Sequence, residues 1–132
     1  MTDPVFRLVA PASALEAAPA GWAVDLLRQG ELALSLDAGE LTAIDAVARA
    51  LDQPAVTVLR REATPDAAEA TVRAFASGLA LVWVAPTFGD TARTWAHDRG
   101  PMTLLVEHDG ALPEAERRRI ERFVAILGRQ AE

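Results

Sequence analysis

Cysteine, lysine, tyrosine and asparagine are all missing from this chain. Without lysine there is no Schiff-base chemistry and no Walker A lysine to grip a phosphate. Without cysteine there is no thiolate nucleophile, no cysteine-held zinc and no iron–sulfur cluster. A disulfide scaffold is excluded too, and zero cysteines fit a reducing compartment. Histidine occurs only as His97 and His108, too few for a three-histidine metal site. Neither G-x-S-x-G nor G-x-G-x-x-G occurs, and the eight glycines are scattered singly, mostly where turns are wanted. No metal and no cofactor is expected. All thirteen cations are arginine. Losing Lys, Asn and Tyr while gaining Ala, Arg, Gly and Pro is the signature of GC-rich codons, so this pattern is not read as thermostability or function.

What is present describes an ordinary globular chain. The 132 residues are long enough for a genuine core and suggest one domain; 51% are apolar and 24% charged. The formal net charge of −6 argues against a nucleic-acid binder, which needs a basic face to displace counterions from phosphates. The N-terminus "MTDPVFRLVAPASAL" carries an acid rather than a basic n-region and reads as a first strand, not a signal peptide. The longest uncharged run, residues 74–89, is interrupted by Ser77, Gly78 and Pro86 and falls short of the ~20 apolar residues of a spanning helix. The expectation is a soluble cytoplasmic protein with no membrane contact.

Patterning along the chain alternates between two periods. "VFRLVA" (5–10) reads as a strand ended by Pro11, and "GWAVDLLRQG" (21–30) as a helix closed by Gly30. "ELALSL" (31–36) alternates Leu32, Leu34 and Leu36 with Glu31, Ala33 and Ser35, which predicts a strand with one buried face. Leu41, Ile44, Val47, Ala48 and Leu51 then recur at helical spacing over 38–53, behind Asp37 as N-cap. "AVTVLRR" (55–61) is a β-branched strand. "TPDAAEATVRAFASG" (64–78) is a helix with Thr64 as N-cap, Pro65 at its first position, Asp66 and Glu69 favouring its positive end, and Gly78 closing it. "LALVWVA" (79–85) is continuous and apolar, as in a strand covered on both faces. A short helix over "GDTARTWAHD", a strand in "PMTLLVEHDG" (101–110) with a turn at Asp109-Gly110, and a terminal helix buried through Ile120, Phe123, Val124 and Leu127 complete the order. Such alternation implies an α/β fold, a single three-layer domain of about five mostly parallel strands joined by right-handed crossovers. The alternative is an α+β layout with a largely antiparallel sheet, in which 31–36 pairs with its neighbours as a meander.

The stretch "VAPTFGDTART" carries the candidate site. If 79–85 is a central parallel strand, its C-terminal end opens where open α/β sheets take ligands. Thr87 and Thr91 supply hydroxyls, Gly89 lets backbone approach closely, the next helix start offers free N–H groups, and Arg93 adds a bidentate donor. His97 is the candidate acid/base. The plain alternative is a strand-to-helix turn, with Asp90 placing negative charge where an anion would sit. His97–Asp98 and "EHDG" set histidine beside aspartate twice, but sequence neighbours point in different directions, and Glu107 with Asp109 makes only a partial set for a hard cation. In "PEAERRRIERF", Glu114, Glu116 and Glu121 interleave with Arg117, Arg118, Arg119 and Arg122, the pattern of a solvated helix face. Trp83 belongs to the core, and Trp22 and Trp95 lie on short helices where a protein contact is reasonable.

The reading leans to a non-enzymatic protein-interaction or regulatory module, with a protein partner or a second copy and no nucleic acid. The alternative is a small-ligand or phosphate-binding α/β domain, a binder or an enzyme, with its site at the strand C-terminal ends around residues 86–97.

Overall fold

The computed structural model describes residues 4–15, 18–19, 21–35, 57–59, 62 and 64–131. Strand β1 (Phe6–Pro11) is followed by α1 (Ala12–Leu15) and α2 (Trp22–Leu26), the latter running into a 3-10 turn at Leu27–Gln29. Next come β2 (Gly30–Ser35), β3 (Thr57–Val58), α3 (Pro65–Ala76), β4 (Ala80–Ala85) and α4 (Asp90–Arg99). A 3-10 turn at Gly100–Met102 leads into β5 (Thr103–Glu107), and α5 (Glu114–Ala131) ends the described chain.

The five strands form one sheet in the order β3-β2-β1-β4-β5, and every pairing is parallel. The antiparallel alternative is therefore excluded for the segment after Gly30, whose residues pair with β1 from Phe6↔Gly30 to Pro11↔Ser35. The expected helix over 38–53, its Asp37 cap, Leu36 and most of the 55–61 strand lie outside the described residues; within that strand, Thr57 and Val58 pair with Ala33 and Leu34.

Alternate side chains divide the core into two apolar layers, one on each face. Phe6, Leu8 and Ala10 of β1, Leu32 and Leu34 of β2, and Val82 and Val84 of β4 meet Ala14 of α1, Leu26 of α2, and Ile120 and Leu127 of α5. On the other face Val9, Ala33, Leu81 and Trp83 meet Val72 and Ala76 of α3 and Ala92 of α4. Strand order reverses between β1 and β4, so successive right-handed crossovers lay their helices on opposite faces. The expectation of a single buried face for β2 is corrected by Ala33, which is as fully buried as Leu34 at 0% exposure.

Several local expectations carry through, and three do not. Thr64 accepts a hydrogen bond from Ala67 N–H at 3.1 Å, and Pro65 opens α3. That helix stops one residue before the expected glycine, at Ser77, which takes φ 51 and returns its N–H to Arg73 C=O. Gly30 is not a left-handed cap; it has φ −129 and begins β2. A Cβ there would lie 2.3 Å from Cζ of the fully buried Phe6, so close backbone approach is what requires glycine. The strand expected over 101–110 shrinks to Thr103–Glu107 because Pro101 sits in the 3-10 turn.

Candidate functional site

In a doubly wound parallel sheet the ligand position lies beyond the strand C-termini where the order reverses. Here that is the mouth between the ends of β1 and β4. Beyond β4 the chain passes through Pro86 and Thr87, both exposed, to Phe88, which is 6% exposed and packs edge-on to Trp83 at 5.0 Å. Phe88 thereby anchors a loop whose neighbours face solvent. Gly89 follows as the N-cap of α4.

That helix start is already met by a carboxylate of the chain itself. Gly89 N–H donates to Glu69 Oε2 at 2.8 Å, and Glu69 is 9% exposed. A Cβ at position 89 would sit 3.3 Å from Glu69 Oε1, which has no hydrogen-bond partner. Glu69 therefore neutralises the positive end of α4, the next helix, rather than favouring the start of its own. Asp90 adds a second acid in the first turn.

The other expected residues are placed as follows. Thr91 and Arg93 are exposed on the first turns of α4. The Arg93 guanidinium donates to Glu107 at the end of β5 and, through Nε, to Phe88 C=O at 3.4 Å. Thr87, Gly89, Thr91 and Arg93 follow one another along the loop and the start of α4, with Gly89 and the Arg93 cation each tied to an internal partner. His97 is exposed and eight residues beyond Gly89 on α4, ~12 Å along the helix axis and toward the opposite edge. No hydrogen bond joins it to Asp98 among the described residues, nor are Glu107, His108 and Asp109 grouped: Glu107 turns to Arg93, and Gly110 at φ 86 makes the expected turn. Among the described residues no group of three or more His, Cys, Asp or Glu is placed to hold a metal ion.

The mouth itself is bridged. His108 N–H donates to Ala85 C=O and Leu112 N–H to Ala14 C=O, both at 3.0 Å. The segment between them runs from the end of β4 to the helix that follows β1. Leu112 is 2% exposed and joins the core layer of Ala10, Ala14 and Val84, while Arg117 donates to Leu112 C=O at 2.7 Å. Two other arginines of α5 serve local pairs, Arg118 to Glu114 at 2.6 Å and Arg119 to Glu116 at 3.4 Å. Elsewhere, a cleft of about 270 Å³ between α2 and α5 is lined by Trp22, Asp25, Leu26, Glu121, Val124 and Ala125.

Of the two residues that shape this edge, Glu69 was expected only to favour the start of its own helix, and Leu112 was not singled out from sequence. Glu69 left a signal: it falls in step with Val72 and Ala76, so a carboxylate stands on the apolar stripe of α3. Leu112 left only an isolated apolar residue in a turn. Burial also pulls the Arg99 guanidinium below its ordinary pKa; it donates to Leu79 C=O and lies 4.6 Å from the Trp95 ring centroid, fixing the far end of α4. No described helix is long and apolar enough to cross a membrane. No family model, no curated relative and no solved structure matches this chain.

Proposed function

We propose that this chain is a non-enzymatic protein-interaction or regulatory module working in the cytoplasm, and that residues 86–93 form a structural turn. The observation that carries this is the Gly89 N–H to Glu69 contact. An anion seeks the positive end of a helix, and this one faces a buried carboxylate of the same chain. The Arg93–Glu107 pair and the Leu112 bridge support the same reading, since each engages a group that a ligand would otherwise use.

The test is thermal unfolding of the wild type and Arg93→Ala against nucleotides, sugar phosphates, flavins, divalent metals and simple anions. A ligand at a hundred times its dissociation constant adds ~2.7 kcal/mol to stability, which is easily read as a melting shift. The expected result is a flat response in both proteins. A wild-type shift that disappears in Arg93→Ala would overturn the module reading in favour of an anion site.

A further inference from the structure

Strand β5 closes one side of the sheet, and among the described residues no strand pairs with its outer edge. The alternation of the ladder shows which groups point outward. His108 N–H bonds to Ala85 C=O, and Glu107 lies in register with Ala85. Parallel pairing then turns the backbone groups of Leu104 and Val106 toward β4 and those of Thr103, Leu105 and Glu107 away from it. Thr103 N–H is engaged by Gly100 C=O at the end of the 3-10 turn. The N–H and C=O of Leu105 and Glu107, with the C=O of Thr103, remain at the edge.

The side chains show the same exposure. Leu81, Val82, Trp83 and Val84 in β4 are between 0 and 4% exposed. Their neighbours Leu104 and Leu105 are only partly buried although each packs on a core layer, and Met102 just before them is 39% exposed. Charged side chains, above all lysine, an interior proline, a bulge or a short strand are the usual protections of an edge, and β5 is short at five residues. The strand "TLLVE" has no lysine, proline or bulge, and its one charge, Glu107, is turned to Arg93.

We infer that β5 is a self-association edge, where a second copy of this chain adds its own β5 antiparallel about a two-fold axis at Leu105. This rests on the interaction-module reading and names its partner. Outward backbone groups demand an extended strand, because only alternating N–H and C=O at strand spacing satisfies them. The register centred on Leu105 lets Leu105 N–H donate to the partner's Leu105 C=O and Glu107 N–H to the partner's Thr103 C=O, each repeated by symmetry. Charge favours this arrangement as well. With a net charge of −6, two copies repel over most approaches. Along this strip Leu faces Leu, Glu107 faces Thr103, and the two Glu107 carboxylates stand ~13 Å apart at opposite ends. The strip is only ~17 Å long, less than an interface of roughly 1,200 Å² requires, so the dimer is expected to be weak and concentration-dependent.

Sedimentation velocity from about 10 μM to about 1 mM tests this, in the range where such affinities are read. The wild type should shift from monomer toward dimer. Leu105→Arg and Leu105→Glu each place like charges across the axis and should weaken association about a hundredfold or more. An equimolar mixture of the two should associate again, which unfolded chains could not do. Should either variant fail to fold, Glu107→Pro decides, because it removes an outward N–H and leaves the ladder to β4 intact; it should be monomeric. A wild type that is monomeric throughout, single variants or a Glu107→Pro that dimerise like the wild type, or folded variants that do not associate on mixing would overturn the inference. A ligand-induced melting shift would instead overturn the module reading without touching this readout.

Discussion

Replacing Glu69 tests the central claim about the strand-end site. Its carboxylate accepts from Gly89 N–H at 2.8 Å while 9% exposed, and Oε1 is buried without a partner. A hydrogen bond to a charged acceptor contributes about 1.5–3 kcal/mol, and a carboxylate at a helix start adds about 0.3–1 kcal/mol. The buried γ-methylene contributes roughly 0.8 kcal/mol. Against these stands the desolvation of the unpartnered oxygen, about 1–3 kcal/mol. Glu69→Ala removes all of these at once, so the net loss is expected near 2 kcal/mol. Glu69→Gln keeps an acceptor for Gly89 and sheds the charge along with much of its desolvation; it should stay within about 1 kcal/mol of wild type.

For a domain of this size one kcal/mol moves the melting temperature by about 3–5 °C. Glu69→Ala should therefore melt about 6–10 °C lower, and urea unfolding should give the same order: wild type, Gln, Ala. An alanine variant as stable as wild type would refute the reasoning. It would mean that the carboxylate is held at the α4 start by the packing of α3 alone, and that the helix end is available to another anion.

Gly30→Ala drives a Cβ to 2.3 Å from Phe6 Cζ and should cost about 3 kcal/mol, whereas the same change in a Phe6→Leu background should cost clearly less in a denaturation cycle. Thr64→Ala removes the acceptor of Ala67 N–H and should lower stability by about 1 kcal/mol with no change in the urea m-value. The Arg93–Glu107 pair is half exposed on both sides, at 53% and 45%, so a double-mutant cycle should return no more than about 0.5 kcal/mol, falling further in high salt. A coupling above about 2 kcal/mol would mean that the pair behaves as a desolvated one.

Much of the architecture was legible because it rests on local chemistry. The Thr64-Pro65 start of α3, the uninterrupted apolar run of β4 and the Ile120/Leu127 stripe of α5 each state their own structure. The alternation around Ala33 misled about burial, because a small residue marks a closely packed second face as readily as a solvent face. Gly30 misled for a related reason: its constraint is the Phe6 ring, in a strand pairing no local signal announces. At the site, sequence named Thr87, Gly89, Thr91 and Arg93, which share one short stretch of chain. What engages them arrives from Glu69, twenty residues before Gly89, and from Glu107, fourteen after Arg93. Spacing within one segment carries no trace of such contacts.

Backbone accounting connects the two proposals. A parallel sheet leaves polar groups unmatched in two kinds of place, at the helix starts beyond its strand ends and along its lateral edges. At the strand ends this chain answers with its own groups: Glu69 for Gly89, Ala85 for His108, Ala14 for Leu112. Along β5 the described residues answer only the Thr103 N–H, through Gly100 C=O, although Arg93 and Glu107 lie within reach of its end and bond each other instead. Under the proposed association, the fold that bridges the mouth where small ligands enter also presents, among the described residues, an unpaired β5 edge to a second copy. The Leu105 charge-swap experiment addresses that asymmetry directly, since rescue on mixing requires both the open edge and its self-complementary register.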